Sequence, residues 1–132
     1  MPSTLRNVAF DCADPYALAS FWSAVVGAPL HEEDAPGDPE AVVVRPDGPH
    51  LFFQRVPEPK RGKNRVHVCL EPDQPRDAEV ERLVGLGATV LDDRRNSDGT
   101  GWVVLGDPEG NELCVLRSAA ERTATDPRPP LA

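Results

Sequence analysis

The chain has 132 residues and carries 22 acidic against 14 basic side chains, a net charge of −8 at neutral pH. That acidity argues against a nucleic-acid footprint, which needs a basic face, and no apolar run approaches the roughly 18 residues of a membrane span. The opening MPSTLRNVAF lacks the apolar core of a signal peptide, and Cys12, Cys69 and Cys114 are too widely spaced for a disulfide framework, so reduced thiols and a cytoplasmic setting are expected.

Leu5–Asp11 alternates, with Leu5, Val8 and Phe10 apolar and Asn7, Ala9 and Asp11 on the opposite parity, the pattern of a half-buried strand. Asp14-Pro15 is a helix start: an acceptor at the cap, then a proline whose missing N–H is not needed. Leu18, Phe21, Trp22 and Val25 make one apolar stripe, and Gly27 ends the helix. A short strand is expected at Ala28–Leu30, then an acidic loop over His31–Glu40 in which His31 is solvated. Ala41–Arg45 and His50–Val56 follow as strands joined by a turn, with His50 structural or solvated at its mouth.

Pro57–Asn64 reads as a linker, and the basic residues Lys60, Arg61, Lys63 and Arg65 are expected to be solvated. Arg65–Leu70 alternates again. Asp73, or Gln74-Pro75, opens a second helix with Val80, Leu83, Val84 and Leu86 on its buried side, ended by Gly87. Ala88–Leu91 reads as a strand, Asp92–Gly99 as a polar loop, and Gly101–Leu116 as a hairpin turning at Asp107-Pro108-Glu109-Gly110. Ser118–Ala132 has few apolar residues and is expected to be a mobile tail.

Laid on itself at an offset of 60, the chain matches at Val8/Val68, Pro15/Pro75, Gly27/Gly87, Ala28/Ala88, Val43/Val103, Val44/Val104 and Asp47/Asp107. The strand, helix and hairpin signals align with these pairs, so two copies of one β-α-β-β-β module are expected. The boundaries are 4–56 for module one, 57–63 for the linker and 64–117 for module two, in one domain over 1–117. Modules of this size are marginal alone, and a shared core is expected.

The offset makes Asn7 equivalent to His67 and Gln54 equivalent to Cys114. If Val66, Val68 and Leu70 pack under the helix, His67 and Cys69 face the other way, as Asn7 does opposite Val8 and Phe10. Asn7, Gln54, His67 and Cys114 would then line the centre of a cup. Phe52, Trp102, Val104 or Leu116 would supply its apolar wall, with Phe52 and Trp102 open also to a core or dimer role. Cys69 and Cys114 share that face as inert buried thiols, and no catalytic residue is assigned. Glu112 shares the parity of Cys114 but stands about 7 Å further along the strand.

The sequence resembles the vicinal oxygen chelate superfamily, which includes glyoxalase I, bleomycin-resistance proteins, extradiol dioxygenases and fosfomycin-resistance proteins. The resemblance rests on Asn7-Val8-Ala9-Phe10 before Asp14, the Phe21-Trp22 helix ending at Gly27, Arg65-Val66-His67, and Asp107-Pro108-Glu109-Gly110-Asn111. Leu86-Gly87-Ala88 and the ending at Cys114 point to its glyoxalase-like domain branch. The resemblance implies an α+β fold of two tandem βαβββ modules whose curved mixed sheets form a cup. It also implies a homodimer or a swapped arrangement, and a divalent metal held by the first and last strand of each module, here Asn7, Gln54, His67 and Cys114. Asn7 departs from the family's His or Glu and drops out. Cys114 departs as a thiol in place of a carboxylate but as a thiolate suits a soft ion, and Gln54 is a neutral ligand, so the implied metal set reduces to His67, Gln54 and Cys114.

The expected function is therefore binding of a small, partly apolar molecule without a complete catalytic metal site and without a cofactor. The alternative is a lyase, isomerase or dioxygenase dependent on Zn, Ni, Mn or Fe. A closed pocket with a purely structural role through the dimer surface is the third possibility.

Overall fold

In the computed structural model residues 1–125 are described, and the elements form an α+β fold with two open mixed sheets. The chain divides into two compact units, Met1–Arg61 and Gly62–Ala132. In the first, strand β1 (Asn7–Cys12) lies parallel to β3 (His50–Arg55), and β2 (Glu40–Val43) pairs antiparallel on the far side of β3. In the second, β4 (Val68–Leu70) lies parallel to β7 (Glu112–Val115), followed by β6 (Gly101–Gly106) and β5 (Thr89–Arg95) in antiparallel order. Both units thus place their first strand parallel to their last.

Helix α1 (Pro15–Val26) forms as its sequence dictates. Asp14 Oδ1 accepts from the Ala17 N–H at 3.2 Å, and Gly27 takes the left-handed conformation (φ 66°) with its N–H on the Ser23 carbonyl. Leu18, Phe21, Trp22 and Val25 are buried; Trp22 stands 5.3 Å from Phe10, which stacks 4.9 Å from Phe53. This aromatic cluster is the core of the first unit. The strand expected at Ala28–Leu30 is reduced to one bridge, Leu30 with Val43. The proline at 29 has no N–H to give a ladder, and the Asp34 carboxylate takes the Val42 N–H at 2.8 Å.

Helix α2 (Arg76–Leu86) buries Arg76, Glu79, Val80 and Leu83, while Val84 and Leu86, expected inside, are exposed. At about 100° per residue Val84 and Leu86 flank the stripe through 76, 80 and 83 on its two sides, and both of these edges are exposed. Buried Glu79 is matched by bonds from Arg82 (2.8 and 2.9 Å) and Gln74 (3.0 Å). Buried Arg76 donates to the carbonyls of Gly99, Thr100 and Gly101. The strand expected over Arg65–Leu70 shortens to Val68–Leu70, and Val66 is exposed instead of packed under the helix. Asn64 accounts for this: its amide donates to the carbonyls of Val66 and Glu112, and its N–H bonds a Glu112 carboxylate oxygen at 2.6 Å.

The polar run expected as a loop over Asp92–Gly99 is strand as far as Arg95, with a bulge between Val90 and Asp92. At Gly101 (φ 100°) a Cβ would lie 2.0 Å from the Arg94 carbonyl oxygen, so only glycine lets β6 leave the turn here. The DPEGN turn is built on buried Asp107, whose carboxylate accepts from the N–H groups of Glu109 and Asn111 and from the Asn111 amide, all at 2.9 Å. The expected tail opens instead with helix α3 (Ala119–Thr125). Ser118-Ala119-Ala120-Glu121 is a capping box: Ser118 Oγ accepts from the Glu121 N–H, and Glu121 Oε1 accepts from the Ser118 N–H. The same oxygen accepts from the Arg76 N–H at 2.8 Å and caps α2, whose own N-cap, Pro75, offers no side-chain acceptor. The rest of the expected tail, 126–132, lies outside the described residues.

Candidate functional site

On the second sheet the ladder register sets out one cross-strand row: Cys69 on β4, Cys114 on β7, Val104 on β6 and Asp92 on β5. Trp102 and Arg94 form the next row of the same face, and Glu112 lies two residues before Cys114. Leu113, Val115, Val103 and Leu105 point oppositely and are fully buried. The bulge decides which side chains of β5 join this face. Without it Leu91 would stand opposite Val104; with it Asp92 does, and Arg94 stands opposite Trp102.

A cavity of about 460 Å³ covers this face, lined by these rows together with Lys63, His67 and Leu116. Its apolar wall is Trp102, Val104 and Leu116, and Phe52 is not among its lining residues; Trp102 is 44% exposed, so it stands in the cavity and not in the core. The charges are paired within the lining: Lys63 Nζ with Glu112 at 2.9 Å, Arg94 Nε with Asp92 at 2.7 Å. His67, Cys69 and Cys114 place their ligand-capable atoms within 4.8 Å of one another. Cys114 is buried and Cys69 exposed, which corrects the expectation of two buried thiols. Burial pushes the Cys114 thiol up, and the adjacent Cys69 sulfur adds to the effect, so Cys114 rests as the thiol at neutral pH.

The first sheet treats its candidates differently. Phe52 and Gln54 are half-buried on β3, away from Leu51 and Phe53; Phe52 stands opposite Ala9, and the Gln54 amide donates to Asp11 at 2.9 Å. Asn7, exposed at the start of β1, stands opposite His50, four register steps from the Asp11–Gln54 pair. At about 3.3 Å per residue that is about 13 Å along the strands. Asn7 and Gln54 therefore do not converge on one point. The other two histidines serve the backbone: His50 Nδ1 accepts from the Arg45 N–H and His31 Nδ1 from the Glu33 N–H.

The model of the glyoxalase-like domain family matches residues 7–116, nearly the whole described chain. The chain belongs to the glyoxalase-like domain family. No curated protein matches the sequence. Among solved structures the glyoxalase-like chain is similar to a glyoxalase/bleomycin resistance protein/dioxygenase family enzyme from Burkholderia phytofirmans PsJN, at 17% identity and a TM-score of 0.67 over 86% of this chain and 97% of that one. It is similar to a possible glyoxalase from Bacillus cereus (19%, TM-score 0.63, 87% and 99% covered). A lactoylglutathione lyase from Agrobacterium tumefaciens shares the fold at 20% identity (TM-score 0.58, 87% and 93% covered). At these identities the likenesses show a shared fold; the family match together with that fold is consistent with the vicinal oxygen chelate superfamily.

The four-position metal set that the superfamily implies does not fit these residues. Two of the positions, Asn7 and Gln54, are neutral amides about 13 Å apart along their strands, and Gln54 already bonds Asp11. Glu112, two residues before Cys114, is held by Lys63 and the Asn64 N–H. Lys63, Asp92 and Arg94 were not legible as site residues: Asp92-Asp93-Arg94-Arg95 is polar on both parities, and a bulge leaves no mark in such a run.

Proposed function

We propose that this glyoxalase-like protein binds a small, partly apolar molecule in the cavity over the second sheet. The observation that carries this reading is the cavity itself: an apolar wall of Trp102, Val104 and Leu116 facing charges that cancel in two ion pairs, with His67 left as a polar anchor. Such a lining selects shape and apolar area over net charge. A thermal-shift screen of neutral aromatic and heterocyclic compounds tests it, since a ligand at a hundred times its dissociation constant stabilises by about 2.7 kcal/mol. The chain has two tryptophans, and Trp22 is fully buried, so a true hit also changes the emission of Trp102. Hits that leave Trp102 emission unchanged and survive Trp102→Ala contradict the proposal.

Metal-dependent lyase, isomerase or dioxygenase chemistry is the second reading, favoured by the clustering of His67, Cys69 and Cys114. Catalytic turnover by tag-free protein loaded with Zn²⁺, Ni²⁺, Mn²⁺ or Fe²⁺, and not metal content alone, separates the two. A homodimer is the oligomer we infer, supported by exposed Val84, Leu86, Val90 and Leu91 on the second unit; light scattering showing a monomer contradicts it.

A further inference from the structure

We propose that His67, Cys69 and Cys114 bind a soft divalent cation, Zn²⁺ in the first instance, on the second sheet alone. This differs from the superfamily arrangement, which draws ligands from both modules. Cys69 and Cys114 are register partners on adjacent parallel strands, so their Cα atoms stand about 4.8 Å apart with both side chains on the cavity face. His67 lies two residues before Cys69, on the same parity and lining the same cavity. The three ligand atoms already lie within 4.8 Å of one another.

A tetrahedral Zn²⁺ with sulfur at about 2.3 Å and nitrogen at about 2.0 Å needs its ligand atoms about 3.6–3.8 Å apart. The contraction is about 1 Å at most, and exposed His67 and Cys69 have the rotamer freedom to make it. Each thiol gives its proton to solvent as its sulfur binds, so two protons leave for each ion. The nearby carboxylates do not compete, because Asp92 is paired with Arg94 and Glu112 with Lys63. Two sulfurs and an imidazole select Zn²⁺ over Mg²⁺ or Mn²⁺, and the fourth position opens into the cavity.

The site stands on ligand placement and not on the small-molecule reading; a cavity that binds its organic ligand but no metal overturns this site alone. The test uses the full tag-free chain, reduced with a phosphine and kept from air, titrated with Co²⁺ as a spectroscopic stand-in and then with Zn²⁺. One equivalent of Co²⁺ is expected to give a near-ultraviolet thiolate charge-transfer band that Zn²⁺ abolishes. Cys69→Ser and Cys114→Ser are each expected to weaken Zn²⁺ binding by about 100-fold or more, at least the upper end of what outer partners contribute. Cys12→Ser, in the first unit, is expected to leave it unchanged. Cys69 is exposed, so its variant keeps the test valid even where Cys114→Ser does not fold. Absence of the band at stoichiometric Co²⁺, or undiminished Zn²⁺ affinity in folded Cys69→Ser, overturns the proposal.

Discussion

The two units share an order of elements and spend it differently. The first closes α1 over an aromatic core of Phe10, Trp22 and Phe53 and caps the helix with its own Asp14. The second rests on aliphatic Leu83, Val103, Leu105, Leu113 and Val115, leaves Val84 and Leu86 in solvent, and borrows the α2 cap from Glu121 of α3. On the opposite faces the contrast is sharper. Register puts Cys69 beside Cys114 in the second sheet, but in the first it puts Asp11 beside Gln54 and leaves Asn7 four steps away. Chemistry gathers where register gathers it, and a shared strand order does not guarantee that.

The largest expected effect is in the aromatic core. Trp22→Ala should destabilise by about 3–5 kcal/mol in denaturant melts, and Leu83→Ala by about 2–5 kcal/mol, toward the low end because half of α2's apolar side chains already face water. A larger loss for Leu83→Ala than for Trp22→Ala would break the comparison of the two cores.

Next comes the borrowed cap. Glu121→Ala strips the acceptor from the Arg76 and Ser118 N–H groups and should cost about 1 kcal/mol, with amide exchange rising at the start of α2 and not in α1. An unchanged exchange rate at Arg76 would show that α3 does not hold α2.

Acid sharpens the same contrast. The hydrogen bonds from Arg82 hold the Glu79 carboxyl below its ordinary value, those from Arg95 do the same for Asp77, and Arg95 brings Asp93 down to about 2. A carboxyl lowered on folding stabilises above its unfolded value, and that contribution is lost as pH falls through the folded one. All three lie in the second unit, so between about pH 4.5 and 2 the α2 amides should lose protection before those of α1. Simultaneous loss would contradict this. The smallest stability effect belongs to Trp102→Ala, within about 0.5 kcal/mol because the ring is half in solvent, although it removes most of the cavity's apolar wall.

Much of this was legible in the residues. Asp14-Pro15, the Leu18–Val25 stripe and Gly27 specify α1 at both ends, because a cap, a period and a stop are all local signals. The Asp107–Asn111 turn and the parity of β1 were equally plain. The capping box Ser118–Glu121 was written in the sequence as Ser-x-x-Glu and announces α3, but apolar content, not capping, was the reason for expecting a tail there. What the sequence could not carry is pairing between distant strands. The bulge at Leu91 and the two-residue difference between the Asp11–Gln54 and Cys69–Cys114 registers are long-range facts, and the candidate site depends on both.

The central claim is that the working face of this protein is the one on the second sheet. An amide chemical-shift titration of the labelled chain with a hit from the thermal screen tests it most directly. The account predicts that the shifts centre on Cys69, Trp102, Val104, Cys114 and Leu116. Shifts centred on Asn7, Phe52 and Gln54, with those five amides unmoved, would contradict it.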